Sequence, residues 1–228
     1  MRGVRGAVHV VGELMITVGV LLLAFLVWQL WWTDVTANHH QQQQVQDLER
    51  QFAQPQTSST TDAVHPTGRL GDAFALVRIP RFGSDYVRPV HEGTTTDILQ
   101  EGIGHYVGTA APGRVGNFAT AGHRTTYGKP YSDIAELKDG DAVVVETKKA
   151  YYVYRVTSHE IVLPTTVSVI APTPDRPGVK PTKAMMTMTS CNPKYSAAQR
   201  YVVHAELADS YTRSQGLPKS VLATPKGA

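Results

Sequence analysis

The sequence predicts an all-β domain behind a single membrane-spanning helix, and three observations lead to this architecture. The chain of 228 residues contains 19 glycines and 14 prolines, which suits many short strands joined by turns. Apolar runs recur at short intervals from residue 74 onward. An uncharged apolar stretch lies near the N-terminus. We therefore expect a closed barrel or a sandwich with short helices, preceded by a membrane anchor.

The apolar stretch covers residues 14–32 (LMITVGVLLLAFLVWQLWW) and contains no charged side chain. Its length matches the roughly 20 residues that a helix needs to cross a bilayer. Arg2 and Arg5 precede it, and Trp31 and Trp32 close it as part of an interfacial aromatic belt. A cleaved signal peptide is the alternative, but its apolar core is shorter and ends in small residues. We predict an uncleaved single-pass anchor in the cell membrane, with a cytoplasmic N-terminus and an extracellular β domain.

Composition divides the chain into four segments. Residues 1–33 are assigned to the cytoplasmic N-terminus and the transmembrane anchor. Residues 34–72 are assigned to a polar stalk or linker, of which the part near 36–53 can continue as helix. Residues 73–209 hold the folded β domain. Residues 210–228 are polar with scattered charges, and we expect a flexible C-terminal tail there.

The folded segment contains short apolar runs that predict β-strands. These runs cover residues 74–80, 86–90, 117–122, 142–147, 151–162, 184–191 and 201–207. Seven or eight such strands favour a closed barrel or sandwich. Helical signals are weak and confined to 94–102 and 131–140, which we expect to decorate the sheet. The proline-rich 163–183 segment predicts a long loop, and its apolar VSVI residues favour a functional wall.

Charge and cysteine content exclude several classes of function. The net charge of +3 is scattered along the chain, so we expect no nucleic-acid partner. The single cysteine excludes an internal disulfide framework and a zinc site built from several cysteines. His39 and His40 stand beside a glutamine run and are assigned to a solvated stalk. We predict no metal and no other cofactor, because no carboxylate cluster is evident near a loop of the β domain.

The single cysteine is a candidate nucleophile because of its neighbours. Cys191 ends one predicted strand and Arg200 opens the next, so an antiparallel hairpin places them side by side. A guanidinium near a thiol stabilises the thiolate and can hydrogen-bond an oxyanion. A cysteine nucleophile also needs an imidazole, and His123 follows a predicted strand in a glycine-containing loop. His105 competes for this role, whereas His204, inside the last strand, can simply point from a face of the sheet.

Three sequence blocks resemble the signature regions of the sortase family of cysteine transpeptidases. They are GNFATAGHRTTYGKPYSDIAELKDGD (116–141), TMTSC (187–191) and CNPKYSAAQRYVVHAEL (191–207). The order of His, Cys and Arg matches the family as well, and the resemblance covers residues 73–208. The run at 104–113 and the Cys-to-Arg spacing are most similar to class E sortases of high-GC Gram-positive bacteria, the actinobacteria. The resemblance implies a closed eight-stranded sortase-type β-barrel.

The resemblance also implies a reaction. Cys191 would attack the Thr carbonyl of a Leu-Pro-x-Thr-Gly-like sorting signal, commonly Leu-Ala-x-Thr-Gly in class E, and form a thioester. His123 would serve as acid and base, and Arg200 would hold the oxyanion. The partners implied are surface proteins bearing a C-terminal sorting signal and a peptidoglycan precursor or another amine acceptor. The membrane anchor suits this role because donor and acceptor meet at that surface.

Four further residues are candidates for substrate binding. Tyr127 and Tyr106 can rim the groove and select Ala over Pro in the signal, although tyrosines of β-proteins are often half-buried fillers. Thr189 and Ser190 belong to TMTSC, which departs from the family pattern TLxTC at Met188 and Ser190. Ser190 keeps a hydroxyl near the site but loses a methyl, so we expect a modest shift in rate and specificity.

Other functions stay open at this point. An L,D-transpeptidase also uses Cys and His on a β-rich fold, but its short Ser-His-Gly-Cys-type block is missing here. A papain-like peptidase has Cys before His, whereas His123 precedes Cys191. The non-enzymatic alternative is a membrane-tethered β domain that binds wall components and carries an inert thiol. Imidazole-dependent alkylation of the thiol separates that alternative from an enzyme.

Overall fold

The computed structural model describes residues 2–54 and 68–223. One long helix, α1 (Arg2–Ala53), precedes the β domain, and α2 (Thr96–Glu101) is a short helix within it. The strands are β1 (Ala73–Arg78), β2 (Val87–Glu92), β3 (Ile103–His105), β4 (Gly116–Ala121), β5 (Ala142–Thr147), β6 (Ala150–Val162), β7 (Ala184–Asn192) and β8 (Gln199–Thr212). The predicted linker at 55–67 and the last residues, 224–228, lie outside the described residues.

The strands close into a barrel in the order β1-β2-β3-β4-β7-β8-β6-β5. Strands β2 and β3 are parallel, as are β4 and β7, and the other neighbours are antiparallel. The closed eight-stranded barrel expected from the sequence is therefore confirmed. The sequence missed only β3 among these strands, because it is three residues long and contains a glycine.

Alternation along the strands explains the core. In β7, Met186 and Met188 are fully buried inside the barrel, and Val203 and Ala205 of β8 join them there. The residues between them point to the opposite face, since side chains alternate along a strand. Thr187, Thr189 and Cys191 of β7 are therefore on the outer face, next to their β8 partners. This outer face carries the candidate site.

The C-terminal half of α1 packs against the barrel and is not a free stalk. Val45, Leu48 and Phe52 recur at helical spacing, are buried, and contact Leu76 of β1. The residues assigned from sequence to a polar stalk thus include an amphipathic helix that covers one side of the barrel up to Ala53.

The C-terminal segment also differs from the expected flexible tail. Strand β8 continues to Thr212, beyond the boundary at 209 drawn from the sequence. A 3₁₀ turn at Lys219–Val221 then places Val221 against Val144 and Val153 on the barrel. Burial of Val221, with Leu217 and Leu222 packed against the same cluster, explains why the segment packs although its composition is mostly polar.

The N-terminal half of α1 is long and apolar enough to cross a membrane. Its most apolar 18-residue stretch has a mean hydropathy of 2.6, and none of that stretch is buried against the protein. Its large apolar side chains, such as Leu22 and Phe25, are more than half exposed. The rings of Trp28 and Trp32 stack with their centroids 6.0 Å apart at the end of this stretch.

Candidate active site

The β7–β8 hairpin places Cys191 directly beside Arg200. The two residues are paired across the antiparallel ladder, next to the pair of Asn192 and Gln199. Cys191 is half-buried and free. Since paired residues of adjacent strands project from the same face, the thiol and the guanidinium share the outer face of the barrel.

The parallel pairing of β4 with β7 brings His123 to the other side of Cys191. The ladder pairs Ala121 with Thr189, and the Gly122 amide donates to the Thr189 carbonyl over 3.1 Å. The ladder ends there, two residues before His123 and two residues before Cys191. His123 therefore follows the strand on one side of Cys191, and Arg200 lies on the strand on its other side.

The ring of His123 is half-buried, and its Nε2 atom is buried without a hydrogen-bond partner among the described residues. Burial lowers the pKa of His123 below its usual value, because a charged imidazolium is poorly solvated there. The ring of Tyr127 lies 5.1 Å away, centroid to centroid. A neutral imidazole with a free nitrogen can accept a proton from a reacting group.

The guanidinium of Arg200 keeps its charge available. Its Nη1 atom donates to the carbonyls of Ala197 and Gln199, each over 3.0 Å. Both partners are neutral, so neither cancels the positive charge beside Cys191. A charge held by backbone contacts at the end of a strand is suited to stabilising an oxyanion.

Two of the four candidate substrate-binding side chains are buried. Ser190 is 3% exposed and donates to the Gly122 carbonyl over 2.7 Å. Thr189 is 4% exposed and donates to the Thr120 carbonyl over 3.1 Å. These bonds join β7 to the strand that leads into His123, and they favour a positioning role for both hydroxyls. Tyr106 is half-buried and lies over Thr189, with 3.2 Å between the two hydroxyl oxygens.

The loop after His123 is held in an unusual backbone conformation by α1. Tyr127 has a φ of +52° and Gly128 a φ of +74°. Gln41 of α1 is 1% exposed and donates to the Tyr127 carbonyl over 3.0 Å. A Cβ atom at Gly128 would lie only 3.0 Å from the Gln41 side chain, so the close approach of helix and loop favours glycine there.

Arg124 is a site residue that the sequence did not reveal. Its Nη1 atom donates to the Cys191 carbonyl over 3.1 Å and to the Asn192 side chain over 2.7 Å. Its guanidinium also lies over the ring of Tyr201, 5.4 Å from the centroid. Arg124 therefore joins the histidine loop to the cysteine strand. In the sequence, only its position directly after His123 suggests that Arg124 belongs to the site.

His105, the competing histidine, is buried inside the structure on β3, where it pairs with Thr120 of β4. It is 1% exposed, and its Nδ1 atom lies 2.7 Å from a carboxylate oxygen of Glu92. Its Nε2 atom lies 2.8 Å from the Thr109 hydroxyl. Both nitrogens are occupied, which favours a structural role.

The loop between β6 and β7 is anchored on the same outer face. Its 3₁₀ turn, Val167–Ile170, buries Val169, whose carbonyl accepts a hydrogen bond from Asn117 of β4 over 3.2 Å. The Ala171 carbonyl accepts another from Asn117 over 3.0 Å. This ordered loop can form one side of a groove that leads along β7 to Cys191.

A second group of titratable side chains lies further along this face. Glu160 of β6, Asp175 of the loop and His204 of β8 bring ligand atoms within 4.8 Å of one another. The sequence showed no carboxylate cluster that would resemble a calcium site, and these three residues, which are distant in sequence, meet only in the closed barrel.

Comparison with known proteins gives consistent matches. The Sortase domain family model matches residues 77–208. Sortase SrtE1 of Streptomyces coelicolor is 36% identical over 225 residues, which cover 95% of this chain and 62% of that protein. This chain thus spans less than two thirds of the length of that relative.

Solved structures show the same fold. Sortase E from Streptomyces avermitilis is 38% identical and superposes with a TM-score of 0.61, covering 68% of this chain and 99% of that one. Sortase E1 from Streptomyces coelicolor, determined with a tripeptide in its active site, is 35% identical with a TM-score of 0.61 and the same coverage of 68% and 99%.

Proposed function

This chain belongs to the sortase family, and on that premise we propose that it is a membrane-anchored cysteine transpeptidase. Its substrate would be a Leu-Ala-x-Thr-Gly or Leu-Pro-x-Thr-Gly-like sorting signal, cleaved between Thr and Gly. One observation carries the proposal. Cys191 pairs with Arg200 on one side, and on the other side the β4–β7 ladder ends at Ala121 and Thr189, two residues before His123 and Cys191.

The first half of the reaction uses all three groups. Neutral His123 takes the proton of the Cys191 thiol as the sulfur attacks the Thr carbonyl carbon, and the negative charge that develops on the carbonyl oxygen is held by the Arg200 guanidinium. The bond from that carbon to the Gly nitrogen then breaks. The leaving amine takes its proton from His123, and the acyl group remains on sulfur as a thioester.

The second half reverses the proton transfer. An acceptor amine attacks the thioester carbon while neutral His123 removes its proton. The carbon–sulfur bond breaks, an amide bond to the acceptor forms, and the departing sulfur takes that proton from His123, which restores the thiol and the neutral imidazole. The lowered pKa of His123 supports this use as a base, because the imidazole is then largely neutral near pH 7.

The surroundings of Cys191 support a groove for an extended peptide. Tyr106 and Tyr127 are half-buried near the site and can contact the signal, and the β6–β7 loop can form one wall. We expect the shapes of Tyr106 and Tyr127 to favour Ala over Pro at the second position of the sorting signal. The acceptor would be a peptidoglycan precursor or another amine at the membrane surface.

The apolar half of α1 supports placement of the enzyme at a membrane. We propose that its N-terminus is cytoplasmic, because Arg2 and Arg5 precede the apolar stretch, and that the barrel is extracellular. Anchoring would raise the local concentration of enzyme near membrane-bound donor and acceptor.

Mass spectrometry of reaction products tests the proposal. The full chain in detergent micelles is mixed with a Leu-Ala-x-Thr-Gly peptide and an amine, in parallel with Cys191→Ala and with a Leu-Pro-x-Thr-Gly peptide. We expect cleavage between Thr and Gly, the amine joined to Thr, and no product from the variant. Product from the Pro peptide alone would retain the chemistry but reject the Ala preference. Absence of product from both peptides would favour the wall-binding alternative.

A further inference from the structure

We propose that Glu160, Asp175 and His204 form a binding site for a divalent transition-metal ion, with zinc as the expected occupant. This cation site is separate from Cys191. His204 lies on the outer face of β8, four residues along the strand from Arg200, and is paired with Thr187 of β7. The inference does not depend on the proposed transpeptidase activity.

The hydrogen bonds around His204 are compatible with a proton on Nδ1. Asn117 donates through Nδ2 to the carbonyls of Val169 and Ala171, so its Oδ1 atom faces Thr187 as an acceptor. The Thr187 hydroxyl lies 2.9 Å from that Oδ1 and 3.3 Å from the Val169 carbonyl and can donate to either. Its oxygen can then accept the proton of His204 Nδ1, which lies 2.9 Å away.

In that tautomer the second nitrogen of His204 presents a lone pair. Nε2 lies 3.2 Å from Oε1 of Glu160 and 3.4 Å from Oδ2 of Asp175. The His204 side chain is only 6% exposed, whereas those of Glu160 and Asp175 are 36% and 45% exposed. One ring nitrogen and two carboxylate oxygens converge, an arrangement that a cation between them would stabilise.

The spacing and the charges favour a metal over a proton. Zinc bonds of about 2.0–2.2 Å in a tetrahedral site give ligand–ligand distances of about 3.3–3.6 Å, close to the two distances observed. Two carboxylates and a neutral imidazole carry a charge of −2, which a divalent ion balances and a single proton does not. The nearby Lys183 ammonium is already paired with Glu206 at 2.7 Å.

The donor set identifies the class of ion. One imidazole nitrogen and two carboxylate oxygens suit zinc or a neighbouring first-row ion. Calcium takes six to eight oxygen ligands and is not expected here. The group opens onto a pocket of about 360 Å³, which leaves room for water at the fourth position.

The ion would fasten the β6–β7 loop to the barrel. Asp175 belongs to that loop, with a φ of +60°, whereas Glu160 and His204 belong to strands. The Thr187 and Asn117 side chains connect the ligand His204 to the buried 3₁₀ turn of the same loop. Metal binding should therefore slow the opening of residues 163–183.

Cobalt binding to the full chain in detergent micelles tests the site. We expect one equivalent of Co²⁺ to produce the visible absorption of a four-coordinate ion and Zn²⁺ to displace it. Asp175→Asn and Glu160→Gln should weaken Co²⁺ binding at least tenfold. Glu206→Gln, which removes a carboxylate from the wall of the same pocket, is the matched control and should retain the absorption.

Hydrogen exchange provides the second measurement. We expect Zn²⁺ to slow amide exchange at 163–183 severalfold in the unaltered chain and in Glu206→Gln, but not in Asp175→Asn. Absence of the cobalt absorption in the unaltered chain, or its persistence in both ligand variants, would overturn the proposal. An ion pair between a doubly protonated His204 and the two carboxylates would then account for the geometry.

Discussion

His105 and His123 flank the same strand, β4, but their ring nitrogens have different surroundings. His105 contacts Glu92 through one nitrogen and Thr109 through the other. His123 has a buried Nε2 without a partner among the described residues. A fully partnered histidine contributes to the fold, whereas a free nitrogen beside a thiol can transfer protons. Both are histidines near glycines in the sequence, so only their contacts distinguish them.

The two histidines also differ in the structural elements that support them. The His105 ring lies between barrel side chains, 5.0 Å from the ring of Phe118 and 5.8 Å from that of Phe74. The loop that follows His123 is instead supported by α1, through Gln41 and through an ion pair between Asp34 and Lys129. The structural histidine therefore depends on the barrel alone, and the candidate catalytic histidine depends partly on the helix that leads to the membrane.

Replacing His123 should give the largest effect on activity. We expect His123→Ala to lower transpeptidation by between about 100-fold and 10,000-fold, because it removes the imidazole proposed to transfer the proton at Cys191. The melting temperature should change little, since the ring makes few contacts. Initial rates with the sorting peptide and circular dichroism melting measure both quantities. Full activity in this variant would remove His123 from the mechanism.

Replacing His105 should act on stability. His105→Leu leaves the Glu92 carboxylate buried without its partner, and we expect a loss of about 3 kcal/mol in the free energy of unfolding. The double variant with Glu92→Gln should recover part of that loss, because it removes the unpaired charge. Activity well below the melting temperature should persist in both. Lost activity with unchanged stability would reverse the roles of the two histidines.

The sequence was sufficient to predict the strands that carry the site. The apolar run ending at Cys191, the short turn and the run starting at Arg200 predicted the hairpin, because both strands alternate around a buried row. The position of His123 required the parallel pairing of β4 with β7, which strand patterns do not specify. The resemblance of the surrounding blocks supplied that missing information.

Other features depended on tertiary contacts that composition conceals. Residues 41–44 are all glutamine and suggest a solvated stalk, yet Gln41 is 1% exposed against the His123 loop. Only the helical spacing of Val45, Leu48 and Phe52 signalled a packed face. Arg124 likewise acquires its role only because β4 and β7 end side by side.

Replacing Gln41 should have a moderate effect that separates the two histidines further. Gln41→Ala removes the hydrogen bond to the Tyr127 carbonyl, and we expect kcat to fall about fivefold through misplacement of His123, with KM nearly unchanged. The free energy of unfolding should fall by about 1 kcal/mol. Gln43→Ala, on the exposed side of the same helix, is the matched control and should change neither quantity. Equal effects of the two variants would show that α1 does not position the loop.

The smallest expected effect is on the pH dependence of stability. Burial lowers the pKa of His123 below 6.5, so on acidification the unfolded chain takes up a proton before the folded one does. The contribution of His123 to stability is therefore fully present above about pH 6.5 and declines as the pH falls through that value.

His123→Gln lacks this contribution, and its free energy of unfolding should decline less steeply between about pH 7 and pH 5 in denaturant titrations. His91, whose pKa is also lowered by burial, contributes in the same direction, so the curve of His123→Gln should be flattened only in part. A variant curve parallel to that of the unaltered chain would mean that the folded protein stabilises the charged His123 imidazolium as well as water does. Burial would then not keep the His123 imidazole neutral.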